Sequence, residues 1–327
     1  MSQVRLSGWS VSWAMTSLEG HMTTGDSTRA FTTVGREGEV GPAGDLSRTD
    51  VLTALRSVTQ GRIYDLEVER FRGMPIHPAH PQMEVVSFRT PRGIRNQGDQ
   101  EWLKTRNSAN MSFISELVMG TVHSGTHIDA FAHVTVGEDN HWHGGFSADD
   151  HLGDWGPLKG DASALPPIIT RGVLIDVAGH KGVKVLEGSE GISSGDLKDA
   201  LAAQSTELRP RDAVLIRTGY CSLYPDGERM KPYFGSGINA DAARWLADQG
   251  AVVVGGDTES LEQLPSADPE NPHIVHTVLL IEHGIHIVEM VYLEDLAADK
   301  QYEFLFIACG LKIRGATGSM IRPIAVV

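Results

Sequence analysis

The amino-acid sequence predicts a mixed α/β layer fold, and three observations lead there. Residues 172–177, 213–217, 251–254 and 303–307 are short apolar runs with the length and continuous hydrophobicity of strands buried on both faces. Residues 194–204 and 239–249 carry a helical period between those runs, the second with Asn239 at the N-cap position and Gly250 at the stop. A chain of 327 residues, 41% hydrophobic and 21% charged, is long enough to bury one large core.

Residues 17–45 are rich in Gly, Thr, Ser and charge with no sustained apolar period, so the chain divides into an extension over 1–46 and a domain over 47–327. The extension is expected to be flexible or to contact a partner. A helix over 48–60 follows, with Asp45 or Ser47 as its N-cap and Gly61 at its stop. Residues 62–66 read as a short strand. Three prolines, Pro75, Pro78 and Pro81, restrict residues 73–81 to a rigid loop, and such loops often line sites. Within it, His80 is a candidate for substrate contact, and His77 reads first as a loop residue. Residues 89–110 are charged and contain glycine, as a surface loop or lid does.

A formal net charge of −14 and the lack of any dense Lys/Arg run disfavour nucleic acid as a partner. Two cysteines, Cys221 and Cys309, make no disulfide framework and suit a cytoplasmic protein. The first fifteen residues contain no continuous apolar stretch, so neither a signal peptide nor a membrane span is expected. No Gly-x-Gly-x-x-Gly follows a strand, which leaves a nucleotide site without support, and no fixed-period repeat runs through the chain.

Chemistry is concentrated in residues 123–133, His-Ser-Gly-Thr-His-Ile-Asp-Ala-Phe-Ala-His. Imidazole and carboxylate are ligands that zinc and manganese accept, and no cysteine lies nearby to make a structural thiolate site. In an extended chain His127, Asp129 and His133 share one face, with His127 and Asp129 roughly 7 Å apart at Cα. A straight strand would carry His123 about 33 Å from His133, so the stretch has to bend, and Gly125 is the residue best suited to the turn. A helix explains the set less well, because Asp129 and His133 would point away from His123 and His127.

This segment resembles the signature of the cyclase family of metal-dependent hydrolases, which includes bacterial kynurenine formamidase and isatin hydrolase: His-x-Gly-Thr-His-x-Asp-x-Pro-x-His. One position departs, Phe131 standing where the family usually has proline. The resemblance implies that His123, His127 and Asp129 ligate zinc or manganese and that His133 is the catalytic proton donor and acceptor. It extends to a helix, a glycine and a strand over residues 272–289, where it implies His276 and Glu289 as further ligands, of the same ion or of a second. From the residues alone His276 is equally a helix-surface histidine; His273, His283 and His286 read as bystanders. Lys312 to Ser319 resembles the family's C-terminal Lys-x-x-Gly-x-Thr-Gly-Ser segment. By resemblance the fold is a swivelling β/β/α-type single domain, and the protein is a homodimer or homotetramer.

The implied reaction is hydrolysis of a non-peptide amide C–N bond, cyclic or N-formyl/aryl, by metal-activated water. A polyketide-type cyclase, polarising a carbonyl without water attack, is one alternative; a non-catalytic metal-binding or ligand-binding relative is the other. Trp142, His143 and Phe146, in a glycine-bounded aromatic cluster, are candidates to contact an aromatic small-molecule substrate, together with Tyr220.

Overall fold

The computed structural model describes residues 28–31, 36–100, 108–109 and 111–327. The apolar runs become strands whose alternate residues enter two different cores. Val173 and Ile175, Val214 and Ile216, Val254 and Ile287 belong to one; Leu174, Leu215, Val253 and Val288 belong to the other. Covering on both faces is why these strands read as continuous apolar runs instead of alternating ones.

The longer strands are β1 (Ile63–Asp65), β2 (Glu84–Arg89), β3 (Ser115–Met119), β4 (His127–Asp129), β5 (Ile168–Asp176), β6 (Ala213–Arg217), β7 (Val253–Gly256), β8 (His286–Glu289), β9 (Glu303–Ala308), β10 (Gly318–Met320) and β11 (Ile324–Val326). All but β2 and β3 form a nine-stranded sheet in the order β1-β11-β9-β5-β6-β7-β8-β4-β10. Its centre, β5-β6-β7-β8, is parallel, and the flanking pairs on both sides are antiparallel. This is the mixed-sheet α/β domain expected from the sequence.

Helix α1 (Arg48–Arg56) starts at Ser47 in a capping box with Asp50. It stops at Arg56, short of the expected Gln60, where the Ser57 hydroxyl donates back to the Ala54 carbonyl. Helix α2 (Pro91–Gln97) occupies part of the segment 89–110, expected to be loop, and strand β2 ends where that segment begins, at Arg89. β2 instead pairs antiparallel with β3, a partner 26 or more residues away that no local pattern announces. Residues 101–107 and 110 of that segment lie outside the described residues. Helices α3 (Ser194–Gln204) and α4 (Ala240–Asp248) match expectation, with Ser193 and Asn239 as their N-caps.

Residues 1–27 and 32–35 of the expected extension lie outside the described residues. Residues 39–46 pack on the domain: Val40, Ala43 and Leu46 are buried, and the buried Glu39 carboxylate accepts from Lys159 Nζ at 2.9 Å and Gly160 N at 3.0 Å. No helix among the described residues is long and apolar enough to cross a membrane.

Candidate metal centre

Strand β4 carries His127 and Asp129 on one face, two residues apart, as an extended chain requires. Its antiparallel neighbour β8 sets Glu289 directly opposite His127. On the other side, β10 pairs Gly318 with Asp129. A side chain at 318 would stand 2.6 Å from the His123 ring, so glycine there is what lets the C-terminal segment close over the site.

Gly125 bends the chain as its position suggested, with φ of 56°. Arg70 clamps the bend: its Nε donates to Ser124 O at 3.0 Å, and its Nη2 donates to Thr126 O. The Thr126 hydroxyl donates to Met290 O at 2.6 Å and accepts from Val68 N at 2.9 Å, tying the bend to the end of β8. His133 follows β4 on one 3-10 turn, Phe131–His133, which stacks its ring on His123 at 3.9 Å between centroids. His276 arrives from a short helical turn, Ile274–His276, that continues as a π-helical stretch, Thr277–Glu282, an irregularity common at functional sites.

The proposed ligands therefore converge from four parts of the chain. His123 Nδ1 lies 2.9 Å from Asp129 Oδ1, and His127 Nε2 lies 3.6 Å from the same oxygen and 3.3 Å from Glu289 Oε2. His276 Nε2 stands 3.7 Å from Asp129 Oδ2 and 3.4 Å from Glu289 Oε1. Ligands of one tetrahedral zinc, with bonds of about 2.1 Å, stand about 3.4 Å from one another. Four of these buried atoms, His123 Nδ1, both Asp129 carboxylate oxygens and Glu289 Oε1, make no hydrogen bond. Buried polar atoms are rarely left so. Inward-facing, mutually close and otherwise unsatisfied, they fit a bound cation.

The imidazoles are turned for that purpose from behind. His127 Nδ1 sits 2.8 Å from Gly125 O, a pure acceptor, so Nδ1 carries the proton and Nε2 keeps its lone pair for the site. His276 Nδ1 is bonded to the Glu262 carboxylate, which likewise leaves Nε2 facing inward. His123 Nε2 pairs with Thr317 Oγ1 at 2.9 Å, leaving Nδ1 inward.

Charge follows from the same geometry. Burial opposes ionisation of Asp129, but the surrounding His133, His123 and His127 hold its carboxyl far below the usual range. Glu289 is likewise lowered, against burial, by the His127 and His276 imidazoles that face it. Burial pushes His133 down to about 4, Asp129 pulling the other way and His123 and His276 adding to the depression. Its imidazole is neutral at pH 7 and able to accept a proton.

No local motif in the sequence points to Glu262. Burial would raise its carboxyl, yet hydrogen bonds from His273 and His276 hold it at about 2, so it is a fixed anion behind a ligand. We expect Glu262→Gln to weaken metal binding about 10- to 100-fold, the usual cost of losing such an orienting partner, measured by chelator competition. Unchanged affinity would leave Glu262 a purely structural residue.

A narrow cleft leads to the site between Pro75, Ile76, His77 and His80 on one side and Glu259 and Met290 on the other; its free volume is about 20 Å³. His80 stacks on His123 with ring centroids 5.2 Å apart, and both His80 and His77 line the cleft. Glu259 is a further unforeseen wall residue. Burial raises its carboxyl to about 7, opposed by the Tyr220 hydroxyl and assisted by Glu289.

Three aromatic-cluster candidates are not brought to the cleft. Trp142 is buried in the core, its indole N–H satisfied by Lys159 O at 3.1 Å. Phe146 packs against it, and His143 is bonded through Nδ1 to Ile281 O at 3.0 Å. Packing consumes these rings because an apolar cluster beside a large core joins that core. Tyr220 is also buried, and stands behind Glu259 without lining the cleft.

The Cyclase family model matches residues 64–263 of the chain. Over 124 residues, 37% of the chain, the sequence is 32% identical to the kynurenine formamidase of Bacillus cereus (strain ATCC 10987 / NRS 248), covering 52% of that protein. It is 28% identical over 207 residues, 62% of the chain, to the kynurenine formamidase of Bacillus cytotoxicus (strain DSM 22905 / CIP 110041 / 391-98 / NVH 391-98), covering 76% of that protein. The chain spans about half the length of the first of these curated relatives. Among solved structures, a novel cyclase superposes with a TM-score of 0.76 at 27% identity over 92% of this chain and 100% of that one. Isatin hydrolase A from Labrenzia aggregata superposes with a TM-score of 0.59 at 17% identity over 85% of this chain and 98% of that one, a likeness of fold.

Proposed function

From the premise that this chain belongs to the cyclase family, whose model covers 200 of its 327 residues (64 to 263), we propose that it is a metal-dependent hydrolase of non-peptide amide C–N bonds. One observation carries the reading: four buried donor atoms, on His123, Asp129 and Glu289, face one another without hydrogen bonds beside the neutral imidazole of His133.

The residues that would hold the ion are His123, His127, Asp129, His276 and Glu289. Zinc or manganese, one or two per chain, would supply there an acidified water and a Lewis acid for the amide carbonyl. The chain's own part is positioning and proton transfer. Gly125, Thr317 and Glu262 fix which nitrogen of each imidazole faces inward. A ring nitrogen of His133 accepts the proton of the attacking water and returns it to the leaving nitrogen. The cleft walls formed by residues 75–80 restrict water around the reacting amide.

The test is incubation of metal-loaded protein with N-formyl arylamines and cyclic aryl amides, reading product mass. Gain of one water supports hydrolysis; ring closure without that gain moves the assignment to a cyclase. No conversion of any amide by fully loaded protein overturns the reading in favour of a binding protein.

Metal uptake should depend on pH. Burial opposes charge on His127 and His276, but Glu289 raises His127, and Glu262 with Glu289 raises His276, so in the metal-free protein both are held above the ordinary 6.5. Ligation requires neutral imidazole, so protons must leave. Apparent affinity should rise with pH from about 6.5 until those raised values are passed, with proton release seen by calorimetry in buffers of different ionisation enthalpy. Binding without proton release across that window would contradict the ligand set.

The small-molecule partner is proposed to be an aromatic amide, and the protein a homo-oligomer. Support for the latter lies in the β2–β3 hairpin, where Val85, Val86, Phe88, Leu117, Val118 and Met119 are all exposed. A two-stranded sheet is marginal in water on its own, and an apolar surface of this kind suits a second copy. Val86 and Leu117 are cross-strand partners. The double variant Val86→Asp, Leu117→Lys is expected to reduce the mass measured by light scattering to that of one chain.

A further inference from the structure

The cleft carries a carboxyl, that of Glu259, that the proposed reaction does not use. Glu259 follows β7 at the end of the parallel strands, and the two residues that lead into it are held by their neighbours. Met290 N donates to Thr258 O at 3.1 Å; the Asp257 carboxylate accepts from Thr218 N and Thr218 Oγ1, both at 2.8 Å, and from Gly219 N at 2.8 Å. Those last bonds also fix the turn that brings Tyr220 up behind Glu259. The chain that presents Glu259 to the wall of the cleft is thus fixed.

No lysine or arginine is among the described residues that line this cleft. Arg70, which packs beside Gly125, spends its guanidinium on Ser124 O, Thr126 O and Glu67. A divalent ion would offset the two carboxylates of Asp129 and Glu289, while Glu259 would stay uncompensated. The formal net charge of −14 acts in the same direction on anything approaching.

We propose that Glu259 is a specificity-determining residue, accepting a hydrogen bond from an ammonium or other donor group on the substrate and turning away substrates with a carboxylate at that position. This rests on the reading of the cleft as an amide hydrolase site. It narrows the substrate class to aromatic amides that are neutral or cationic at the end remote from the amide.

The test uses the full-length, metal-loaded protein at pH 8, above the value of about 7 to which burial raises Glu259, with two formanilides that differ only at the para position, one aminomethyl and one carboxylate. The expected result is a preference in kcat/KM of at least about 10-fold for the aminomethyl substrate, the scale of one hydrogen bond to a charged group. Glu259→Gln should remove that preference and Glu259→Asp should retain part of it, at unchanged metal content. Equal rates for the two substrates in the native protein, or an undiminished preference in Glu259→Gln, overturn the proposal.

A calorimetric arm separates this from failure of the activity itself. If neither formanilide is hydrolysed, the hydrolase reading falls, and the dissociation constants of 4-(aminomethyl)aniline and aniline still decide about Glu259. Tighter binding of the former by about 10-fold or more, lost in Glu259→Gln, supports the assignment; equal binding overturns it.

Discussion

His133→Ala lowers kcat by about 10²- to 10⁴-fold, the usual contribution of a positioned acid–base group, while metal content stays that of the native protein. Two features make His133 the residue to remove. Its ring is stacked against a proposed ligand, His123, at 3.9 Å, yet it follows β4 on a separate turn. Its pKa of about 4, set mainly by burial, keeps it neutral at working pH, as a proton acceptor has to be. Elemental analysis beside the rate assay separates the possible roles. An unchanged rate would remove His133 from proton transfer, and loss of metal would make it a ligand, a role its closeness to His123 and Asp129 permits.

Asp129→Ala abolishes metal retention and brings hydrolysis to background. The carboxylate is fully buried, lies within 2.9 to 3.7 Å of nitrogen atoms of His123, His127 and His276, and has no hydrogen bond to either oxygen. No other proposed ligand meets all three imidazoles. Its loss leaves three buried histidines facing an unfilled space, and breaking a buried ion pair typically costs about 3–5 kcal/mol. The metal-free Asp129→Ala protein is therefore also less stable than metal-free native protein. The sign with pH follows from the lowered pKa: Asp129 stabilises the metal-free fold above its ordinary 3.8, and that stability is lost as pH falls. The native and Asp129→Ala unfolding curves should accordingly converge in acid. A full metal complement in the variant would show that the histidines and Glu289 suffice.

Much of this was legible in the chain because it depends on short-range spacing. His127 and Asp129 share a face through the two-residue period of a strand, and Gly125 announces its turn. The parallel strands announce themselves by apolar runs. What could not be read is what depends on distant packing. Glu262 stands 14 residues before His276, beyond an irregular stretch, and only the fold brings its carboxylate behind the imidazole. The hairpin of β2 and β3 pairs across an intervening helix. Trp142 belongs to the core and not to a substrate wall, a choice that depends on which layer lies beneath it.

Phe131 is explained by the same long-range view. It is completely buried, lies parallel on the His286 ring at 4.3 Å, and meets His143 edge-on at 4.8 Å. His286 in turn bonds through Nδ1 to the Asp129 carbonyl at 2.8 Å. Thus the residue replacing the family's proline braces the strand that holds Asp129, through a histidine that looked idle in the sequence.

The narrow cleft has a kinetic meaning. About 20 Å³ holds a single water and no aromatic ring. Admission of the amides proposed here would therefore require the walls of the cleft to part, and three prolines restrict how the wall that bears His77 and His80 can do so. Capture would then be gated, on the microsecond-to-millisecond scale of loop motion. Each departure of His80 from its stack on His123 also uncovers a proposed ligand. Ion loss and substrate entry then share one door, and occupancy of the cleft should slow metal exchange.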